Sequence, residues 1–213
     1  MAVLRKGRFR LDHLQVFAPT LAAGLAHVST SLGVALDQVP GRHLAIGPDC
    51  HLEIVTPEWM RAQKLDPVAL GLSARFALGP FLGHWCARLE RPGRLTQLAD
   101  EYPRRVDAPV LREADGRSYL ASQRADAGWP RWRGAGDGVL PTLIQWQSEP
   151  ARADAALCGI ALRALRGYHP SVELLAEQLT WLGLDETMTL EPTLLDGSLV
   201  AEFDTPTGLR QLR

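Results

Sequence analysis

Arg10-Leu11-Asp12-His13-Leu14-Gln15-Val16-Phe17 and Cys50-His51-Leu52-Glu53-Ile54-Val55 are the stretches whose reading decides the fold. Both are short, largely apolar runs bounded by turn residues, and both predict strands. Each sets one metal-capable side chain, His13 or Glu53, among apolar neighbours. Between them Pro19-Thr20 opens a helix, where the missing proline N–H costs nothing. Leu21, Leu25, Val28 and Leu32 follow at helical spacing, and Gly33 suits the left-handed residue after the last turn. Val34–Gln38 and Arg42–Ile46 read as short strands, Gly47-Pro48-Asp49 as a turn, and Pro57 as a stop. Residues 8–56 therefore predict a βαβββ module.

The same order starts again after a less regular connection, residues 57–80, which holds two short helical stretches and is expected to lie over one edge of a pocket. Phe81–Leu89 is a strand, Leu95, Leu98 and Tyr102 mark a helix, and Pro109–Glu113 and Arg117–Gln123 flank the hairpin signal Asp115-Gly116. A Gly-, Trp- and Arg-rich loop spans 128–138, and Leu140–Gln147 closes a second module over 81–148. A third follows over 156–213: strand Leu157–Leu165, a helix opened by His169-Pro170-Ser171, strands Met188–Leu195 and Leu199–Phe203 joined by Asp196-Gly197, and a last strand Leu209–Leu212. A unit of roughly sixty residues that recurs calls for a repeat architecture. The expected fold class is α+β, with repeated βαβββ modules forming curved mixed sheets, helices outside, and the third module packed on the domain made by the first two (8–150).

Composition narrows the function. The chain has 213 residues, 46% hydrophobic and 22% charged, with a net charge of −1. That is enough to bury a sizeable core, and it gives no bulk charge to attract nucleic acid or an anionic membrane. The cations are nearly all arginine. Cys50, Cys86 and Cys158 form no close pair, which argues for reduced thiols and a cytoplasmic setting. The start, Met1–Arg10, has cations but no apolar stretch, so no secretory leader is expected. No run reaches the about 18 apolar residues of a membrane span.

Laid on each other without gaps, His13-Leu14-Gln15-Val16-Phe17 matches His84-Trp85-Cys86-Ala87-Arg88, and Leu52-Glu53-Ile54 matches Ile144-Gln145-Trp146. His13, Glu53, His84 and Gln145 thus fall on the first and last strands of two modules. Pairing the modules across a pseudo-twofold would bring the four into one cleft. In the Leu-Asp-His-Leu opening, the Leu-Glu-Ile strand and the Leu-Pro-Thr-Leu-Ile-Gln-Trp run, over residues 10–150, the sequence resembles the vicinal oxygen chelate superfamily and its glyoxalase-like domains. That resemblance implies a divalent metal (Zn²⁺, Ni²⁺, Fe²⁺ or Mn²⁺) held by His13, Glu53, His84 and Gln145, a small oxygenated or carbonyl substrate, and Glu53 as catalytic base. It departs from a proton-shuttling isomerase in offering Gln145 where a second acid would stand.

Each residue also has a plainer reading. His13 could be a satisfied core histidine and Gln145 an ordinary strand residue. Glu53 needs a partner if buried: a metal, an arginine or a hydrogen-bond cluster. Arg131, Trp132 and Arg133 could bind an anionic or aromatic substrate at the pocket mouth, or lie on a surface loop. Trp85 and Trp146, each beside a candidate ligand, should point to the other face of the sheet. Three functions stand open: a glyoxalase-like, metal-assisted enzyme, a metal-free protein of the same fold that binds or sequesters a small molecule, or a catalytically silent interaction scaffold. A homodimer is the expected assembly.

Overall fold

The centre of the molecule is an antiparallel pair, β1 (Phe9–Phe17) with β4 (Phe81–Leu89). The structure, a computed structural model, describes residues 9–36, 41–47, 49–68, 72–90, 94–114, 116–122, 138–148 and 159–213. Around that pair runs one seven-stranded sheet in the order β2-β3-β1-β4-β7-β6-β5, where β2 is His43–Ala45, β3 His51–Val55, β5 Pro109–Ala114, β6 Arg117–Ser122 and β7 Thr142–Trp146. In each half the first strand pairs in parallel with the last, β1 with β3 and β4 with β7. The two modules therefore join edge to edge through β1 and β4, not face to face.

Helix α1 (Leu21–Leu32) begins where Thr20 Oγ1 accepts from Ala23 N–H, and ends at Gly33, whose φ of 65° is the left-handed turn expected there. Its buried side, Gly24, Val28 and Leu32, faces β3. Helices α2 (Pro57–Ala62) and α3 (Ser73–Ala77) lie on the other face, where Trp59, Met60, Leu65, Leu72 and Phe76 pack with Phe17 and Val55. Helix α4 (Leu95–Glu101) lies between β4 and β5 in sequence.

The third segment forms its own sheet from β8 (Ala161–His169), β9 (Thr189–Pro192), β10 (Ser198–Thr205) and β11 (Gly208–Leu212), with α5 (Val172–Leu182) after β8. It covers the back of the large sheet. Leu165, Leu199 and Phe203 share one core with Leu14, Val16 and Trp85, and the N–H of Leu162 donates to the carbonyl of Ile46. Tyr102 meets Trp181 of α5 edge-on at 5.1 Å, and Arg105 lies over the same indole. The residues of this core are nearly all fully buried, each worth about 1.5–3 kcal/mol for a large side chain.

Three strand expectations are corrected. Residues 34–36 are not a strand and 37–40 lie outside the described residues, so among the described residues the first module shows three strands. Asp196-Gly197 does not close a hairpin: β9 and β10 sit on opposite sides of β8, in the order β11-β10-β8-β9. The first strand of that segment is Ala161–His169, shifted toward the helix. The chain bends at Asp196, but the β8–β10 pairing, which buries Leu199, Ala201 and Phe203, decides which strand β10 joins.

Candidate metal centre on the first module

Register builds the site. On β1 and β3, His13 stands opposite His51 and Gln15 opposite Glu53; on β2, His43 stands opposite Glu53. Across the modules His13 faces Cys86 and Gln15 faces His84. Residues paired in register share a face. His13, Gln15, His43, His51, Glu53, His84 and Cys86 therefore lie on one side of the sheet, away from the core shared with the third segment. A register shift between Leu11 and His13 adds Asp12 to the same group, because a bulge turns two successive side chains toward one face.

Asp12, His13 and His51 place ligand atoms within 4.8 Å of one another. The His13 Nδ1–H donates to Asp12 Oδ1 at 2.7 Å, which turns Nε2 toward Glu53 Oε2 at 3.6 Å. The other carboxyl oxygen of Glu53 lies 3.7 Å from His43 Nε2, and Gln15 Nε2 donates to Oε2 at 2.8 Å. The rings of His13, His51 and His43 stack in sequence at 4.8 and 5.1 Å between centroids. Asp12 Oδ2 accepts from the Trp146 indole at 3.1 Å and has Arg88 at 3.6 Å. Among the described residues the partners of Glu53 are thus Gln15 and two histidines, not an arginine.

The charges follow from these contacts. Burial alone would raise the Asp12 carboxyl; the bond to His13 and its charge, with His51 and Trp146 behind them, bring it down to about 2. Burial alone would lower His13; Cys86 and the Asp12 carboxylate carry it well above the ordinary imidazole value. Cys86 is itself pushed up by burial and stays a thiol near neutral pH, so the carboxylate is the charge that counts. Burial and the adjacent His13 push His51 well below the ordinary value. Burial also raises the Cys50 thiol to about 12.

The expected four-ligand set comes together only in part. His13 and Glu53 are neighbours. His84 is on the correct face but fully buried, and both ring nitrogens are engaged: Nδ1–H donates to Gly138 O at 3.1 Å, and Nε2 accepts from Thr142 N–H at 3.2 Å and lies 2.9 Å from Thr142 Oγ1. Burial holds it neutral, with a pKa of about 3. Gln145 lies on the opposite face, where its Oε1 accepts from Leu95 N–H at the start of α4, at 2.8 Å. The ungapped overlay is out of register. Gln15 pairs with Glu53 as Cys86 pairs with Thr142, so Thr142 is the positional counterpart of Glu53. Trp85 points to the back, as expected, and donates to Val139 O at 2.6 Å. Trp146 corrects the expectation by lying on the site face. Arg131, Trp132 and Arg133 lie outside the described residues.

Sequence reading missed Asp12, Gln15, His43 and His51. His51 and Glu53 alternate on one strand, as do His13 and Gln15 on another, and that period of two was the available signal. Beside the centre a narrow cleft of about 30 Å³ is lined by His13, Gln15, Cys86 and Thr142 and, across from them, Trp59, Arg112 and Tyr119.

The residues fit a divalent cation. Imidazole nitrogens and carboxylate oxygens suit Zn²⁺, Ni²⁺, Fe²⁺ and Mn²⁺. Donors about 2.1 Å from a shared ion stand some 3–3.6 Å apart, close to the His13–Glu53 separation. The Asp12 carboxylate on the far nitrogen is the support that fixes a ligating histidine.

Paired modules in one mixed sheet, with histidine and carboxylate gathered at the central strands, define the vicinal oxygen chelate class. The chain belongs to the glyoxalase-like domain family, which it matches over residues 11–183, into β8 and α5. A hypothetical protein from Staphylococcus aureus has a similar crystal structure, with a TM-score of 0.53 at 10% identity over 88% of this chain and 87% of that one. A hypothetical protein from Bacillus halodurans C-125 overlaps more loosely, with a TM-score of 0.41 at 16% identity over 68% of this chain and 98% of that one. No curated protein matches the chain. Among the described residues no helix is long and apolar enough to cross a membrane.

Proposed function

We propose that this chain is a glyoxalase-like enzyme that acts on a small oxygenated or carbonyl metabolite in the cleft beside β1, with a divalent metal held by the first module. The observation that carries this reading is the buried unit Asp12–His13–Glu53: a carboxylate fixes one nitrogen of an imidazole at 2.7 Å and a second carboxylate stands 3.6 Å from the other. His13 and Glu53 would hold the ion, with His43 and His51 beside them. When bound, such an ion polarises a substrate carbonyl and makes its α-proton more acidic.

The rest falls to the protein. Asp12 is committed to His13, Trp146 and Arg88, which leaves Glu53 as the base that receives a proton. Gln15 orients the Glu53 carboxylate through its 2.8 Å bond. Trp59, Leu65 and Ile144 wall the cleft and limit water.

Elemental analysis of the purified protein tests the reading. Close to one equivalent of a transition metal is expected, lost in His13→Ala and Glu53→Gln. Purified protein that takes up no metal sinks it. One observation favours the second reading, a metal-free binding protein: His84, the histidine of the second module, is satisfied by Thr142 and Gly138 and is not free to reach an ion at the first. That reading predicts a ligand-dependent rise in Tm with no metal present.

A further inference from the structure

Two buried polar atoms, each on a residue that lines the cleft, lack a hydrogen-bond partner among the described residues, and their characters are opposite. Gln15 is 3% exposed, and its amide orientation is fixed, because Nε2 donates to a carboxylate oxygen that can only accept. Its Oε1 is left as a buried acceptor without a donor. Arg112, on β5, gives NH1 to the carbonyl of Gln63 at 3.0 Å, and its Nε is buried without an acceptor. Among the described residues no carboxylate pairs with Arg112. Both residues line the same cleft, with the Tyr119 ring and Trp59 beside them.

An orphaned buried group is destabilising, and more so where it is charged. A water molecule would satisfy Gln15 but would not neutralise a guanidinium. With NH1 committed to Gln63, Arg112 presents its Nε–NH2 edge, the fork that matches the two oxygens of a carboxylate. We propose that the cleft takes a small hydroxycarboxylate, its carboxylate on that edge of Arg112 and its hydroxyl donating to Gln15 Oε1. The narrow free volume restricts the ligand to a few heavy atoms. The inference rests on the cleft being the substrate site of the proposed enzyme, but the two atoms that carry it need no metal.

Titration calorimetry of the full chain tests this, first as purified and again after treatment with a chelator. The probes are glycolate and lactate, with propionate lacking the hydroxyl and propane-1,2-diol lacking the carboxylate. Lactate or glycolate should bind about tenfold or more tightly than either control. Arg112→Lys, which keeps the charge but loses the fork, should weaken lactate by about tenfold. Gln15→Leu should bring lactate to the level of propionate, with thermal melts confirming that both variants fold. Equal binding of lactate and propionate to the wild type overturns the proposal, as does binding of neither hydroxy acid. Preference for lactate in chelator-treated protein upholds it even if no metal is found. Stoichiometric metal without that preference overturns it and leaves the metal reading in place.

Discussion

His84 Nε2 lies 2.9 Å from Thr142 Oγ1, and the two stand to β4 and β7 as His13 and Glu53 stand to β1 and β3. One architectural position thus carries two chemistries. In the first module a histidine faces a carboxylate at 3.6 Å, with the Gln15 amide nitrogen against both. In the second a histidine faces a hydroxyl and a backbone N–H, and both ring nitrogens are satisfied by the protein. The strand pairing repeats in both halves of the sheet, while the groups that face each other differ.

His84→Asn should therefore leave the metal content at the wild-type level while lowering stability by about 2–3 kcal/mol, through lost hydrogen bonds and orphaned partners at Gly138 and Thr142. Denaturant unfolding and elemental analysis of the same sample check it. Loss of metal in this variant would return His84 to the ligand set.

Acid should destabilise the protein in two windows. His84 has a folded pKa of about 3, so between the ordinary imidazole value near 6.5 and 3 the unfolded state binds the extra proton, and stability falls as pH falls. The slope is about 1.4 kcal/mol per pH unit for each such proton. Asp12, with a folded pKa of about 2 against the ordinary carboxyl value of 3.8, contributes stability that is present above 3.8 and lost as pH falls toward 2. Melting temperatures from pH 7 to pH 2 should show both, with Asp12→Asn flattening the lower window.

Metal uptake should weaken as pH falls. His13 is held well above the ordinary imidazole value, and a ligating imidazole must give up its proton. Loading at pH 8 should exceed loading at pH 6, with proton release measurable in weakly buffered solution. Uptake independent of pH would exclude His13 as a ligand.

Gln145→Ala should cost about 1 kcal/mol, the usual loss when a helix-end N–H is orphaned, and leave metal content unchanged. Urea unfolding resolves a change of that size. A fall in metal content would contradict the placement of Gln145 behind the sheet.

Gly83→Ala should be more damaging. A register shift between Gln15 and Val16 places Gly83 against Phe17, and a Cβ there would overlap the buried ring. Overpacking of this kind costs about 1–3 kcal/mol, which for a chain of this size lowers Tm by several degrees in a calorimetric scan.

The sequence alone determined the elements and their order. Apolar runs, proline and glycine punctuation, and helical spacing are local signals, and they placed β1, α1, β4 and α5 within a residue or two. The repeated order also gave the family, and His13 and Glu53, which stand 3.6 Å apart in the structure, each stand out on an apolar strand. Only tertiary structure decided which residues meet. Side chains alternate along a strand, so the ungapped overlay, three residues out at the last strand, put Gln145 in place of Thr142 and on the wrong face of the sheet. A bulge at Asp12, invisible in composition, swung a carboxylate onto His13. Strand pairing between distant segments, not local propensity, also kept β9 and β10 apart and set the third sheet against the back of the first.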